Sequence, residues 1–361
     1  MREPIYVTRP NLPNREKLFG YLEGALDRRQ LTNNGPLVQE LSARLSAYLG
    51  VSNLVLVANG TVALDLAIRL ADFSGEVLTT PFSFPATSSA LIWTGRTPIY
   101  VDIAEDSFNL DPNLARIAIE RQRCSLLATH VYGNPCDVLA LQNLAAEYDV
   151  SLVYDAAHAF GVEMSNKSVL EWGDVSILSF HATKTFNTLE GGALVCRDSE
   201  MFDKAKRMIN FGFNDSGFVD QIGVNGKMNE FEAAVGLTLL DDIDHYIAEQ
   251  KSVSLAYRDN LSPDVMHQRI HQDASHLNYG YVPVCFPDEN TCTEAMNRML
   301  SENIFPRRYF YPSLDTVEAF GQSPNCRVSQ DIASRILCLP SYAGLQLGTI
   351  EEISSMVNAV L

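Results

Sequence analysis

Short apolar runs, each closed by a turn and alternating with stretches of helical spacing, recur through the first half of the chain and fix its fold class. They are residues 54–57, 77–80, 97–102, 126–131, 150–155 and 175–178. Runs this short and this apolar read as buried strands. Alternating with helices such as 62–70 and 138–148, they predict α/β units around a mostly parallel, mixed sheet flanked by helices. Two amphipathic helices, 15–28 and 38–49, precede the first strand, with Leu18, Tyr21, Leu22 and Leu26 on the inward face of the first. After a glycine- and asparagine-rich excursion at 212–226, a long helix is predicted over 230–249, with Phe231, Ala234, Leu237 and Leu240 inward. Asn229 and Glu232 have the spacing of a capping box at its start. The domain change is placed at this helix's end, giving a large domain of residues 1–250 and a smaller α+β domain of residues 251–361.

At 361 residues the chain has room for about two domains, and 46% apolar with 20% charged residues fits a soluble globular protein. The formal charge of −17 opposes a nucleic-acid or anionic-membrane partner, because phosphates are repelled at long range. It leaves room for a small anion in a local positive pocket. Seven cysteines without a C-x-x-C pair predict reduced, buried thiols and neither disulfides nor a metal site. Residues 1–10 carry no apolar signal core, and no apolar run approaches the ~20 residues of a spanning helix, so a cytoplasmic protein is expected.

Chemistry concentrates at the ends of the apolar runs. Lys184 stands alone in a loop of Ser, Thr, His and Asn between the strands 175–178 and 193–196. A lysine is ordinarily a surface charge, but an amine held between apolar strands can be the Schiff-base partner of a carbonyl cofactor. Gly60-Thr61 follows a strand and opens a helix, where free N–H groups and the helix dipole favour a phosphate; the bland alternative is that Thr61 only caps that helix. Phe84, in a proline-broken loop, is either core filler or a flat face for a heteroaromatic ring. Asp155 lies just past a strand's carboxyl end, where open α/β sheets place ligands, and either caps a turn or pairs with a protonated pyridine nitrogen. His158 is a satisfied core histidine or a partner of a ring substituent. The turn holding Asn33 is either a plain connector or lays backbone amides against a ligand. Arg307 and Arg308, set among Tyr309, Phe310 and Tyr311 in residues 306–312, form either a packed, solvated edge or a clamp for a diphosphate or base.

Pyridoxal 5'-phosphate needs each of these groups: a helix N-terminus for its phosphate, an aromatic face for its ring, an anion for its pyridine nitrogen and a lysine for its aldehyde. No H-E-x-x-H, G-x-S-x-G, P-loop or G-x-G-x-x-G competes.

Over nearly its whole length the chain resembles the sugar aminotransferases of the DegT/DnrJ/StrS family, fold-type-I pyridoxal-phosphate enzymes acting on nucleotide-linked keto sugars. The resemblance rests on Ser179-Phe180-His181-Ala182-Thr183-Lys184 with Glu190-Gly191-Gly192. It is supported by Leu31-Thr32-Asn33-Asn34-Gly35-Pro36, Tyr154-Asp155-Ala156-Ala157-His158-Ala159, Gly223-Val224-Asn225-Gly226-Lys227-Met228 and Pro340-Ser341-Tyr342. It implies that Lys184 is the Schiff-base lysine, Asp155 meets the pyridine nitrogen and Phe84 stacks on the ring. Gly60, Thr61, Val62 and Ser179 would hold the phosphate, and His158, where many relatives have Gln, the ring hydroxyl. Asn225, with Lys227 as its neighbour, would reach the partner subunit's phosphate in a homodimer with shared active sites. Asn33, His181, Arg307 and Tyr311 are the candidate substrate contacts.

Relatives that carry out 3-deoxygenation have His in place of the lysine, so Lys184 implies transamination. The Phe-His-x-Thr-Lys loop looks more like the branch that aminates C4 of a dTDP-4-keto-6-deoxyhexose than like the 3-amino branch. The expected activity is a ping-pong exchange through pyridoxamine phosphate, from L-glutamate to C4 of dTDP-4-keto-6-deoxy-D-glucose. Such an activity would serve deoxyamino sugar biosynthesis, as for a lipopolysaccharide O-antigen. The alternatives are a 3-aminotransferase, an amino-acid aminotransferase, or a non-catalytic module that senses the cofactor. The acidic charge, the intact lysine and the lack of a basic extension before residue 20 speak against the last.

Overall fold

The computed structural model describes residues 3–321 and 325–361, so the first two residues of the 1–10 stretch lie outside it. Seven strands form one sheet in the order Leu54–Val57, Gly192–Cys196, Val175–Ser179, Leu152–Asp155, Ser125–Thr129, Glu76–Thr79, Thr97–Tyr100. The five from Val175–Ser179 to Thr97–Tyr100 run parallel, and Gly192–Cys196 is antiparallel to both neighbours. Each parallel strand therefore delivers its carboxyl end to the same edge. Asp155 pairs in register with Thr129 and Ile177, and Ser179 and Val57 both face Gly192, which brings the expected site residues to that edge.

Alternation within the strands assigns the two faces. Leu54, Leu56, Tyr154 and Leu178 point into a core made with the helices Arg15–Arg28, Pro36–Leu49 and Glu230–Leu240. Val55, Val57, Val153 and Ile177 point into a second core with Gly60–Leu70 and Ser199–Met208. Burying both faces is what a parallel sheet requires, and each fully buried side chain such as Leu41 or Leu45 contributes about 1.5–3 kcal/mol. The first helix packs Leu18, Tyr21 and Leu22 against this core as expected, but Ala25 is its buried residue and Leu26 is exposed, which corrects the inward assignment of Leu26.

The helix expected over 230–249 is two helices, Glu230–Leu240 and Ile243–Asn260, broken at Asp241-Asp242. Aspartate is a poor helix former; Asp241, whose carboxylate meets Lys17 Nζ at 2.7 Å and Arg44 Nη2 at 2.6 Å, keeps helical dihedrals, and the backbone leaves the helix at Asp242 (φ −114°, ψ 8°). The Asn229/Glu232 capping box is present, whereas Phe231 faces solvent instead of the core. The second helix packs Ile243 and Ile247 against the sheet-side core and Val253 and Tyr257 into a C-terminal core. A division at residue 250 therefore falls inside a continuous helix, and we propose that the two units meet along it.

The C-terminal part carries an antiparallel sheet of Met266–His267, Val282–Cys285 and Ile336–Leu339, covered by Glu289–Ser301 and Leu347–Asn358. The N-terminal strand Ile5–Tyr6 joins this part by pairing with Ile304–Phe305. All seven cysteines are free and buried, and no described helix is long and apolar enough to cross a membrane.

Candidate active site

The helix Gly60–Leu70 is capped by Asn59, whose side chain accepts from Val62 N at 2.9 Å, so Thr61 is not the cap. The Asn59 carbonyl takes Ala63 N as well. Among the described residues the N–H groups of Gly60 and Thr61 and the Thr61 hydroxyl have no partner, while the N–H of Val62 is already used. Ser179 closes the other side. A Cβ at Gly60 would stand 2.9 Å from Ser179 Cβ and 3.1 Å from its Oγ, so glycine keeps a cup open here. Unpaired amides at a helix start beside a serine hydroxyl make an anion site.

Asp155 is buried at the end of its strand, and both carboxylate oxygens are held. Thr87 Oγ1 donates to Oδ2 at 2.8 Å and Ala157 N donates to Oδ1 at 3.1 Å. Thr87 also meets Ser83 Oγ at 2.8 Å, and Ser83 meets Thr129 Oγ1 at 3.1 Å, so the carboxylate ends a short chain of buried hydroxyls. Burial pushes the Asp155 carboxyl up, against the pull of Thr87, Ala157 N and the charge of Lys184. Phe84 is the residue before the helix Pro85–Trp93, its carbonyl accepts from Thr87 N at 3.1 Å, and its ring is half exposed. An apolar face thus stands one turn from the buried carboxylate.

Lys184 is projected by a loop pinned on both sides. Phe180 and Phe186 are fully buried, 5.0 Å apart edge to face, and Phe186 stacks on Phe160 at 4.7 Å. Backbone bonds from Phe180 N to Gly191 O and from Thr188 N to Phe180 O close the loop. The Lys184 amine meets the hydroxyl of Tyr281 at 3.1 Å. Burial pushes the amine's pKa down to about 8, with Asp155 opposing the fall. An amine near that value is available in both protonation states at neutral pH. His158 Nδ1 accepts from Tyr132 N at 3.3 Å, and burial holds its pKa well below the usual range, so the ring is neutral and carries its proton on Nε2.

Among the described residues, none of the other expected residues bonds the Lys184 amine. His181 is exposed and engages Thr183 Oγ1 at 2.9 Å and Glu190 at 3.7 Å. Asn33, at φ 61°, sits in an exposed turn that the buried Glu230 anchors through Leu37 N and Val38 N. Asn225 is exposed beside its own chain's cup, since Gly226 O accepts from Ala58 N at 2.8 Å; Lys227 is turned to Asn210 Oδ1 at 3.0 Å. Arg307 is exposed with its guanidinium 5.7 Å from the Tyr309 ring, which lies edge-on to Tyr281. Tyr311 stacks on Arg308, whose guanidinium is spent on Glu289 and the carbonyls of Ala333 and Ser334. Sequence reading missed Asn59, Thr87 and Tyr281. Asn before a helix's first glycine is a cap signal, but nothing local marks the other two.

These residues fit pyridoxal 5'-phosphate: an open cup with unpaired donors, a half-exposed aromatic face, a buried two-point-held carboxylate and an amine of lowered pKa. The family model described as the DegT/DnrJ/EryC1/StrS aminotransferase family matches residues 14–358. A dTDP-4-amino-4,6-dideoxy-D-glucose transaminase of Shigella dysenteriae is 40% identical over 366 aligned positions, covering 100% of both chains. A transaminase of the same description from Escherichia coli is 34% identical, over 98% of each chain. The crystal structure of DesI with its TDP-sugar product superposes with a TM-score of 0.93 at 33% identity, covering 99% of this chain and 93% of the other.

Proposed function

This chain belongs to the DegT/DnrJ/EryC1/StrS aminotransferase family, and from that premise we propose that it moves an amino group from L-glutamate to C4 of dTDP-4-keto-6-deoxy-D-glucose. It is a pyridoxal-phosphate-dependent aminotransferase. The observation that carries the reading is convergence: cup, carboxylate and lysine, from three separate strands, meet at one sheet edge in a chain 40% identical throughout to a C4 sugar transaminase.

When bound, the cofactor supplies an aldehyde that exchanges amino groups and a ring that takes up electrons from the reacting carbon. Gly60 and Thr61 N–H, the Thr61 hydroxyl and Ser179 Oγ are the groups that would hold its phosphate, and the N–H of Val62 is spent on Asn59. Phe84 offers the ring a face, and His158 offers its Nε2 proton to a ring oxygen. Asp155, kept in place by Thr87 and Ala157 N, supplies the negative charge that favours a protonated ring nitrogen. Lys184 Nζ takes the proton from the amino-bearing carbon of the donor and later returns one to the sugar carbon that gains nitrogen.

A second copy of the chain completes the site in this reading. Phe218 (71% exposed) and Ile222 (84%), with Phe211, Phe213, Val219 and Val224, form an apolar excursion running beside the cup. An apolar surface of this kind is what a partner subunit covers. Asn225 lies within it, and Asn33, His181 and Arg307 are the exposed polar groups available to the sugar nucleotide.

The test is an absorption spectrum of the holoenzyme. L-Glutamate bleaches the visible cofactor band, and dTDP-4-keto-6-deoxyglucose restores it. A band that bleaches and is never restored by this sugar rejects the acceptor.

A further inference from the structure

The segment 278–281 of the C-terminal part crosses directly over the lysine site. Asn278 Nδ2 donates to His158 O at 2.8 Å and to Phe160 O at 3.0 Å, tying the segment to the turn that follows Asp155. Gly280 then abuts the lysine loop: a Cβ there would stand 2.9 Å from Thr185 Oγ1. Tyr281 follows, its hydroxyl 3.1 Å from Lys184 Nζ. Its ring is enclosed by His158 at 4.6 Å, Tyr132 at 5.6 Å and Tyr309 at 6.2 Å. A ring so enclosed has little rotational freedom, and its hydroxyl is a fixed point. Burial raises that hydroxyl's pKa well above its ordinary value, so it stays protonated and able both to accept from an ammonium and to donate to an amine.

We propose that Tyr281 is a positioning residue for Lys184: its hydroxyl holds the lysine amine whenever that amine is not bonded to the cofactor. This rests on the reading of Lys184 as the group that moves the proton. During turnover the amine must be released and still remain beside the reacting carbon. A free lysine side chain has four rotatable bonds and about 2 kcal/mol of rotamer entropy to lose, so a fixed partner keeps it in reach. The partner comes from the C-terminal part, so the proton-transfer group of the sheet edge is aimed by the other half of the molecule.

The two states of the amine are not held equally. A hydroxyl accepting from an ammonium makes a charge-assisted bond, stronger than the bond to a neutral amine. Removing the hydroxyl therefore favours the neutral amine and lowers the pH at which Lys184 loses its proton.

The experiment is carbamylation of the cofactor-free full-length chain by cyanate, read at the Lys184 peptide by mass spectrometry as a function of pH. Only the neutral amine reacts, so the midpoint reports its protonation without cofactor, substrate or turnover. In Tyr281→Phe the midpoint moves to lower pH by about one unit. In the loaded enzyme kcat falls about tenfold while KM for both substrates holds. An unmoved midpoint overturns the proposal. Tyr132→Phe, which removes a hydroxyl from the same ring cluster without touching Lys184, leaves the midpoint in place; an equal shift there means general loosening and also overturns it. An enzyme that rejects the dTDP sugar changes neither midpoint, so failure of the proposed acceptor is separate from failure of this inference.

Discussion

Thr87 Oγ1 donates to Asp155 Oδ2 at 2.8 Å, linking the first turn of one helix to the end of a strand 68 residues further along the chain. The contact orients a buried carboxylate at the sheet edge and helps to keep it ionised against its burial. Thr87→Val keeps the shape and removes the donor, leaving a buried oxygen short of a partner. That loss costs about 1–3 kcal/mol of carboxylate stabilisation, so kcat is expected to fall about tenfold with cofactor still bound. Asp155→Ala goes further, with turnover down by orders of magnitude and cofactor binding still detectable. Unchanged turnover in Asp155→Ala contradicts the assigned role.

Lys184 makes stability depend on pH in a fixed direction. Its folded value of about 8 lies below the 10.5 of an unperturbed lysine, so between the two the unfolded chain binds the extra proton. Stability of the cofactor-free enzyme therefore rises with pH across that window; the cost of burying the amine is complete below about 8 and absent above 10.5. Lys184→Met lacks this contribution. In urea titrations at the two ends of the window, the wild type should gain about 1–3 kcal/mol relative to Lys184→Met. Parallel profiles for the two proteins contradict the buried amine.

Gly60→Ala places a methyl group 2.9 Å from Ser179 Cβ, where the phosphate is to sit. The expected result is cofactor affinity reduced by about ten- to a hundredfold, roughly 1.4–2.7 kcal/mol. Fluorescence titration of the cofactor-free enzyme with pyridoxal 5'-phosphate measures it, and an unchanged Kd removes the cup from the account.

The apolar excursion around Ile222 should be the seam between two subunits. Ile222→Asp puts a charge where a partner's apolar surface packs, and sedimentation equilibrium is expected to show dissociation towards a single chain. A mass unchanged from the wild type's dimer, with activity intact, places the seam elsewhere. A wild type that sediments as a single chain rejects the shared site.

Much of this molecule was legible in the sequence because its signals are local. The strand ends at Asp155 and Ser179, the glycine turn at Gly60 and the loop around Lys184 each combine an apolar run with a nearby polar group, and a parallel sheet gathers such ends on one edge. The capping box at Asn229 was equally readable. What failed to show depends on distant partners. Tyr281 meets Lys184 across 97 positions and belongs to no periodic pattern, and Thr87 looks like any other residue in a first helical turn. The break at Asp241-Asp242 was hidden by the apolar stretch before it, and the partners of Asp241 there, Lys17 and Arg44, come from the distant N-terminal helices. Ala25 occupies the next inward position after Leu18, Tyr21 and Leu22, where Leu26 was expected, and alanine's small size conceals it.

In the proposed reaction nitrogen passes from glutamate to C4 of the sugar. Incubating the holoenzyme with nitrogen-15-labelled L-glutamate and dTDP-4-keto-6-deoxyglucose, then recording the product's NMR spectrum, tests it directly. The expected product is a labelled amine whose nitrogen couples to the proton on C4. Label at C3, or a product without label, contradicts it.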